Sequence, residues 1–123
     1  MKKFFLIATM LLAFGSINAQ IAEVKQDGNV AKIYNDQGKY TGKYISLSSS
    51  REIAGFNSKY IVVIDGNVAK IYNEQASYTG KYISLSSSRF IKNVSGGAIL
   101  VKDGNVTKYY DFEGKYTGNY TSN

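Results

Sequence analysis

The side chains with chemistry to offer in this chain come in threes. Asp27, Lys32 and Tyr34 recur as Asp65, Lys70 and Tyr72, and again as Asp103, Lys108 and Tyr110, at a spacing of 38 residues. Lys and Tyr two positions apart on a strand project from the same face. A tyrosine ring joins a large apolar body to a polar tip, so it can stack on a sugar while Lys and nearby Asn supply hydrogen bonds. Lys32, Lys70, Lys108, Tyr34, Tyr72 and Tyr110 are therefore the candidate ligand-binding residues. Two further tyrosine sets keep the same spacing: Tyr40, Tyr78 and Tyr116, and Tyr44, Tyr82 and Tyr120. Core packing is the competing use for all of them, since Tyr44 follows Gly42 on one face and an aromatic laid over a cross-strand glycine stabilises sheets.

Catalysis has little to work with. The sequence has no His and no Cys, which removes imidazole bases, thiolate nucleophiles, disulfides and most metal sites. Paired carboxylates can cleave glycosides, and the repeated acids are Asp27, Asp65 and Asp103. Each precedes a glycine (Gly28, Gly66, Gly104) in a turn, where Asp is expected for structural reasons. One carboxylate per turn is too few for calcium. The chain reads as a non-enzyme with no metal site and no cofactor.

The elements that position these residues are repeats. Residues 27–51 and 65–89 differ only at 36/74, 38/76 and 39/77, and a third copy keeps Tyr116-Thr117-Gly118 in step. Within the second copy, Tyr60 to Ile64 is a β-branched and aromatic run typical of a buried strand. Asp65-Gly66 predicts a tight hairpin whose central residues tolerate positive φ. Val68 to Tyr72 returns, with Ala69 and Ile71 on one face and Val68, Lys70 and Tyr72 on the other. A second turn spans Asn73 to Ser77, Tyr78 to Leu85 is the next strand, and Arg89 to Val94 a fourth. The second turn holds Gly38 and Gly114 in the first and third copies but Ala76 in the second. If it needs a left-handed residue, Ala76 costs about 1 kcal/mol relative to Gly. Helical periodicity is nearly absent. The expectation is an all-β fold of about three tandem 38-residue β-meander repeats, roughly 20–57, 58–95 and 96–123, with about eleven strands in a single domain over 20–123.

A leader precedes them. Lys2 and Lys3 are followed by an apolar run from Phe4 to Phe14 and small or polar residues to Ala19. That is the pattern of a signal peptide over 1–19, too short to span a bilayer. Cleavage before Gln20 leaves no integral membrane segment and places the protein in the periplasm, on the cell surface or outside the cell. Of 15 Lys and Arg, 13 remain beyond the leader against 9 Asp and Glu, a net charge of +4. The charges are scattered singly rather than in a basic tail, and export argues against a nucleic-acid partner.

Strand Ala98 to Val101, the Asp103-Gly104 turn, the strand ending Tyr109-Tyr110-Asp111 and Gly114 together resemble a β-propeller blade of the quinoprotein or WD-repeat type. The Lys-Ile-Tyr-Asn and Tyr-Thr-Gly-Lys-Tyr-Ile-Ser-Leu units are similar to those of small exported repeat proteins of Bacteroidota, a group without a settled function. Propellers close with four to eight blades, so the resemblance implies either two chains forming a six-bladed homo-oligomer or an open meander. A β-trefoil, which closes with three units, is the alternative. The functional expectation is an exported binding module recognising a glycan or a partner protein. A structural or self-assembling envelope subunit is the competitor, because the strands contain no proline to protect their edges.

Overall fold

The computed structural model describes residues 20–122; the leader expected over 1–19 lies outside them. The described chain is all-β, with eleven strands in three antiparallel sheets. The first sheet has three strands in chain order: β1 (Glu23–Asp27), β2 (Val30–Tyr34) and β3 (Tyr40–Ser46). The second contains β4 (Arg51–Phe56), β5 (Tyr60–Asp65), β6 (Val68–Asn73) and β7 (Tyr78–Ser84). The third contains β8 (Arg89–Val94), β9 (Ile99–Asp103), β10 (Val106–Tyr110) and β11 (Tyr116–Ser122). Each strand pairs with its neighbour in sequence, the arrangement short turns favour. The sheets do not begin where the sequence repeats were drawn. β4 and β8 pair forward, with β5 and β9, so the Ser-rich segments 47–50 and 85–88 separate the sheets.

The hairpin turns lie one residue later than the Asp-Gly signal suggested. Asp65 pairs with Val68, leaving Gly66 and Asn67 as the central residues. Gly66 has φ 64, and Asn67 is not among the positive-φ residues. A glycine leading with positive φ is the pattern of a type II′ turn, which matches strand twist. In the second turn Asn73 Oδ1 accepts from the backbone N–H groups of Gln75 (2.9 Å) and Ser77 (3.0 Å). Asn35 and Asp111 do the same in their copies, the local mimicry that favours these residues in turns. The fourth position is left-handed in all three copies, with Gly38 at φ 76, Ala76 at φ 64 and Gly114 at φ 80. Ala76 is the described chain's one non-glycine residue with positive φ.

Two apolar cores lie between successive sheets. The first joins Ala31, Ile33 and Ile45 of the first sheet to Ile61, Val63 and Tyr72 of the second. The second joins Val62, Ala69, Ile71 and Ile83 to Val94, Ile99, Val101 and Tyr110 of the third. The middle sheet is thus covered on both faces, which is why the run from Ile61 to Val63 is continuous rather than alternating. Full burial of each such side chain contributes roughly 1.5–3 kcal/mol. At one edge the sheets approach closely. A Cβ on Gly55 of β4 would stand 2.8 Å from Val94 Cγ2 of β8, so only glycine fits. Beside it, Asn57 Nδ2 donates to the carbonyls of Ser95 and Gly96 at 3.2 Å. The ring of Tyr60 stacks on Phe112 at 4.7 Å between the same two sheets.

Candidate binding surface

The Asp, Lys and Tyr residues of each repeat converge at the first hairpin and the strands beside it. Asp65 is the last residue of β5 and Lys70 lies within β6, five positions on. Lys70 Nζ reaches Asp65 Oδ2 at 3.0 Å, and Arg51 Nε approaches the same oxygen from β4, also at 3.0 Å. The third sheet repeats this with Asp103, Lys108 (3.0 Å) and Arg89 (3.1 Å). In the first sheet Asp27 pairs, among the described residues, with Lys32 alone, at 2.9 Å. These ion pairs account for the repeated aspartates. The turn residues that bond their own backbone are Asn35, Asn73 and Asp111, as described above.

The hydrogen bond from Lys70 holds the Asp65 carboxyl below its ordinary value, with Arg51 adding to the effect and partial burial opposing it. Lys108 does the same for Asp103. The hydrogen bond and charge of Lys32 lower Asp27, and Asp27 in turn raises Lys32. These carboxylates stay ionised and neutralised by their cations, which suits a structural role. Among the described residues no group of three or more His, Cys, Asp or Glu could hold a metal ion.

Each lysine also lies over a ring. Lys32, Lys70 and Lys108 place Nζ 5.3 Å from the ring centroids of Tyr40, Tyr78 and Tyr116, within cation–π range. The rings of Tyr34, Tyr72 and Tyr110 tilt against those same tyrosines at 5.8, 5.6 and 5.6 Å. A bulge brings the parts together. Between the pairs Tyr72↔Tyr78 and Lys70↔Tyr82, Ile71 alone faces Thr79, Gly80 and Lys81. The Thr79 hydroxyl donates to the Ile71 carbonyl at 2.7 Å and accepts from the Lys81 N–H at 3.2 Å. Gly80 has φ 87. The other two sheets keep the same bulge. It leaves Tyr78 and Tyr82 both cross-strand from residues on the Lys70 face.

Burial separates the tyrosines. Tyr72 and Tyr110 are 8 % exposed and belong to the two cores. Their rings have no free face for a sugar, so packing explains them. Tyr34, their counterpart on the uncovered face of the first sheet, is half-buried. The open rings belong to the other two sets. Tyr44, Tyr82 and Tyr120 are 52, 51 and 60 % exposed, and Tyr40, Tyr78 and Tyr116 are exposed too. All six lie on β3, β7 and β11, the last strand of each sheet. The sequence singled out Tyr34, Tyr72 and Tyr110 as candidate ligand contacts; two of these three rings are buried, and the open rings are in the other two sets. Tyr72 and Tyr110 are buried because a neighbouring sheet covers their face, whereas β3, β7 and β11 are edge strands.

The tyrosine-bearing edge of the second sheet is linked to the third sheet. Lys81 of β7 pairs with Glu113 at 3.4 Å, and Gly114 abuts the Tyr82 backbone. Tyr116 follows two residues after this contact, so the open rings of β7 and β11 flank the junction of the two sheets as a tyrosine strip. The chain matches no protein-family model, no curated protein and no solved structure.

Proposed function

We propose that this chain is an exported, non-catalytic binding module whose three sheets stack like propeller blades and hold a glycan chain across the tyrosine strip. The observation that carries this reading is the recurrence of one exposed Tyr–Tyr–Lys cluster on three stacked sheets. Two separate interlayer cores support blade-like stacking over a trefoil, in which the units would share one barrel.

The chemistry favours stacking over ionic capture. Each lysine is already neutralised by an aspartate, so the surface offers aromatic faces held in place by the ammonium beneath. Face-to-face sheets stand about 10 Å apart. A linear polymer lying across the layers meets an equivalent cluster at each step, and weak single contacts then combine. The Asp–Lys pairs and the buried Tyr72 and Tyr110 act as the support that orients the open rings.

A glycan array tests the reading, comparing the unaltered chain with a Tyr44→Ala, Tyr82→Ala, Tyr120→Ala variant. Retention of glycans by the former and their loss by the folded variant supports it. If no glycan is held while a pull-down recovers a protein through the same tyrosines, the partner is a protein. If the variant behaves like the parent in both assays, the strip is not the binding surface.

A further inference from the structure

We infer that the outward faces of the first and third sheets are end caps, so that the three layers neither close into a ring with a second copy nor grow head to tail. The argument is independent of what the tyrosine strip binds. It comes from comparing side chains at equivalent positions, 38 residues apart, on covered and uncovered faces.

The first sheet turns Ala31, Ile33 and Ile45 toward the second. Its opposite face carries Glu23, Lys25, Lys32 and Tyr34, paired across β1 and β2. At the positions of Glu23 and Lys25 the second sheet has Ile61 and Val63, and the third has Ile99 and Val101; all four are fully buried in the interlayer cores. The ring that is buried as Tyr72 and Tyr110 is here covered by its own sheet, with Lys25 Nζ 5.0 Å from the Tyr34 centroid. Both Glu23 and Lys25 are exposed. A sheet packed on this face would strip water from both charges, at a cost that apolar contact does not offset.

The third sheet shows the same change on its opposite face. Where the second sheet has Ile64 and, in its forward core, Ala69, Ile71 and Ile83, the third has Lys102, Thr107, Tyr109 and Thr121, of which Thr107 is buried, Lys102 and Tyr109 are half-buried and Thr121 is exposed. Pairings Thr107↔Lys102, Tyr109↔Leu100 and Thr107↔Thr121 put them on one face. Half-buried Leu100 and exposed Phe90 are the aliphatic and aromatic exceptions, and Phe90, at the position of Glu52, lies directly across from Lys102. Ring closure would press this face against Glu23 and Lys25 and set Lys102 among them. Charged or polar side chains on the two outward faces, at positions that are apolar where the sheets meet, are what a finite stack requires.

The test is the solution mass of the chain recovered after export, by light scattering across a wide concentration range. One chain per particle is the expected result. A dimer or larger closed ring overturns the inference, and its loss in a Phe90→Glu variant would trace the contact to the third sheet. A second variant asks the converse. Glu23→Ile and Lys25→Val, combined with Lys102→Ile, Thr107→Ala, Tyr109→Ile and Thr121→Ile, restore the side chains of the covered layers. This variant is expected to associate as concentration rises. If it stays monomeric with a β-sheet circular dichroism spectrum, the polar residues are not what blocks stacking.

Discussion

The backbone carbonyl oxygen of Tyr82 lies only 2.5 Å from where a β-carbon on Gly114 would stand. This contact seats the second turn of the third sheet against the edge of the middle one and sets the step from Tyr82 to Tyr116. It separates three positions that look alike in sequence. Gly38 has φ 76 and open space around it, whereas Gly114 has φ 80 and none. Gly38→Ala should cost only the left-handed penalty, about 1 kcal/mol. Gly114→Ala should cost roughly 1–3 kcal/mol more, because an overpacked site must shift backbone. Urea denaturation of the two variants measures the difference.

Gly55 and Val94 form a second test of layer packing. A Cβ on Gly55 would stand within 2.9 Å of two Val94 side-chain atoms. Gly55→Ala should destabilise the chain by roughly 1–3 kcal/mol. Adding Val94→Ala removes the nearer colliding atom, Cγ2, and leaves Cβ in place, so the double variant should lose somewhat less than the sum of the two single changes. Additive losses would show that β4 and β8 do not touch there.

The tyrosine sets should respond oppositely to truncation. Tyr72→Ala empties a core position and should cost roughly 3–5 kcal/mol, as for other large aromatics. Tyr44→Ala, on an edge strand and half exposed, should change stability by about 0.5 kcal/mol or less. Equal losses in thermal unfolding would contradict the division between buried and open rings.

Acid should loosen the sheets through the Asp–Lys–Arg clusters. Asp65 and Asp103 are held below their ordinary values when folded. Their contribution is therefore complete above the unfolded carboxyl value of about 3.9 and is lost as pH falls through the lower folded value. Asp65→Asn with Asp103→Asn should lower stability at neutral pH and flatten the acid limb of a stability–pH profile. Lys32 shifts upward, so its pairing with Asp27 persists up to its unfolded value and fades as pH rises past the folded one.

Much of this architecture was legible in the sequence because local rules and the repeat agreed. The alternation of Val68 to Tyr72 predicted which side chains face together, and Ala69 and Ile71 are indeed buried. The left-handed turn showed itself through Gly38 and Gly114, and Ala76 adopts the same conformation. Asp65-Gly66 marked a hairpin, but periodicity could not say that Gly66 leads the turn. The pairing partner of β4 was hidden because a strand between two Ser- and Gly-containing turns can join the sheet on either side. The site was less readable. Burial of Tyr72 depends on a neighbouring sheet that no local pattern encodes, while Tyr82 is open because its strand ends a meander. The cations around Asp65 come from five residues after it and fourteen before, a convergence only the sheet creates.

Ring-labelled tyrosine NMR tests the central claim most directly, by titration with the glycan best retained on the array. The account predicts shifts at Tyr40, Tyr44, Tyr78, Tyr82, Tyr116 and Tyr120, on all three sheets, with Tyr72 and Tyr110 unmoved. Saturable binding that leaves these six rings unperturbed would contradict it.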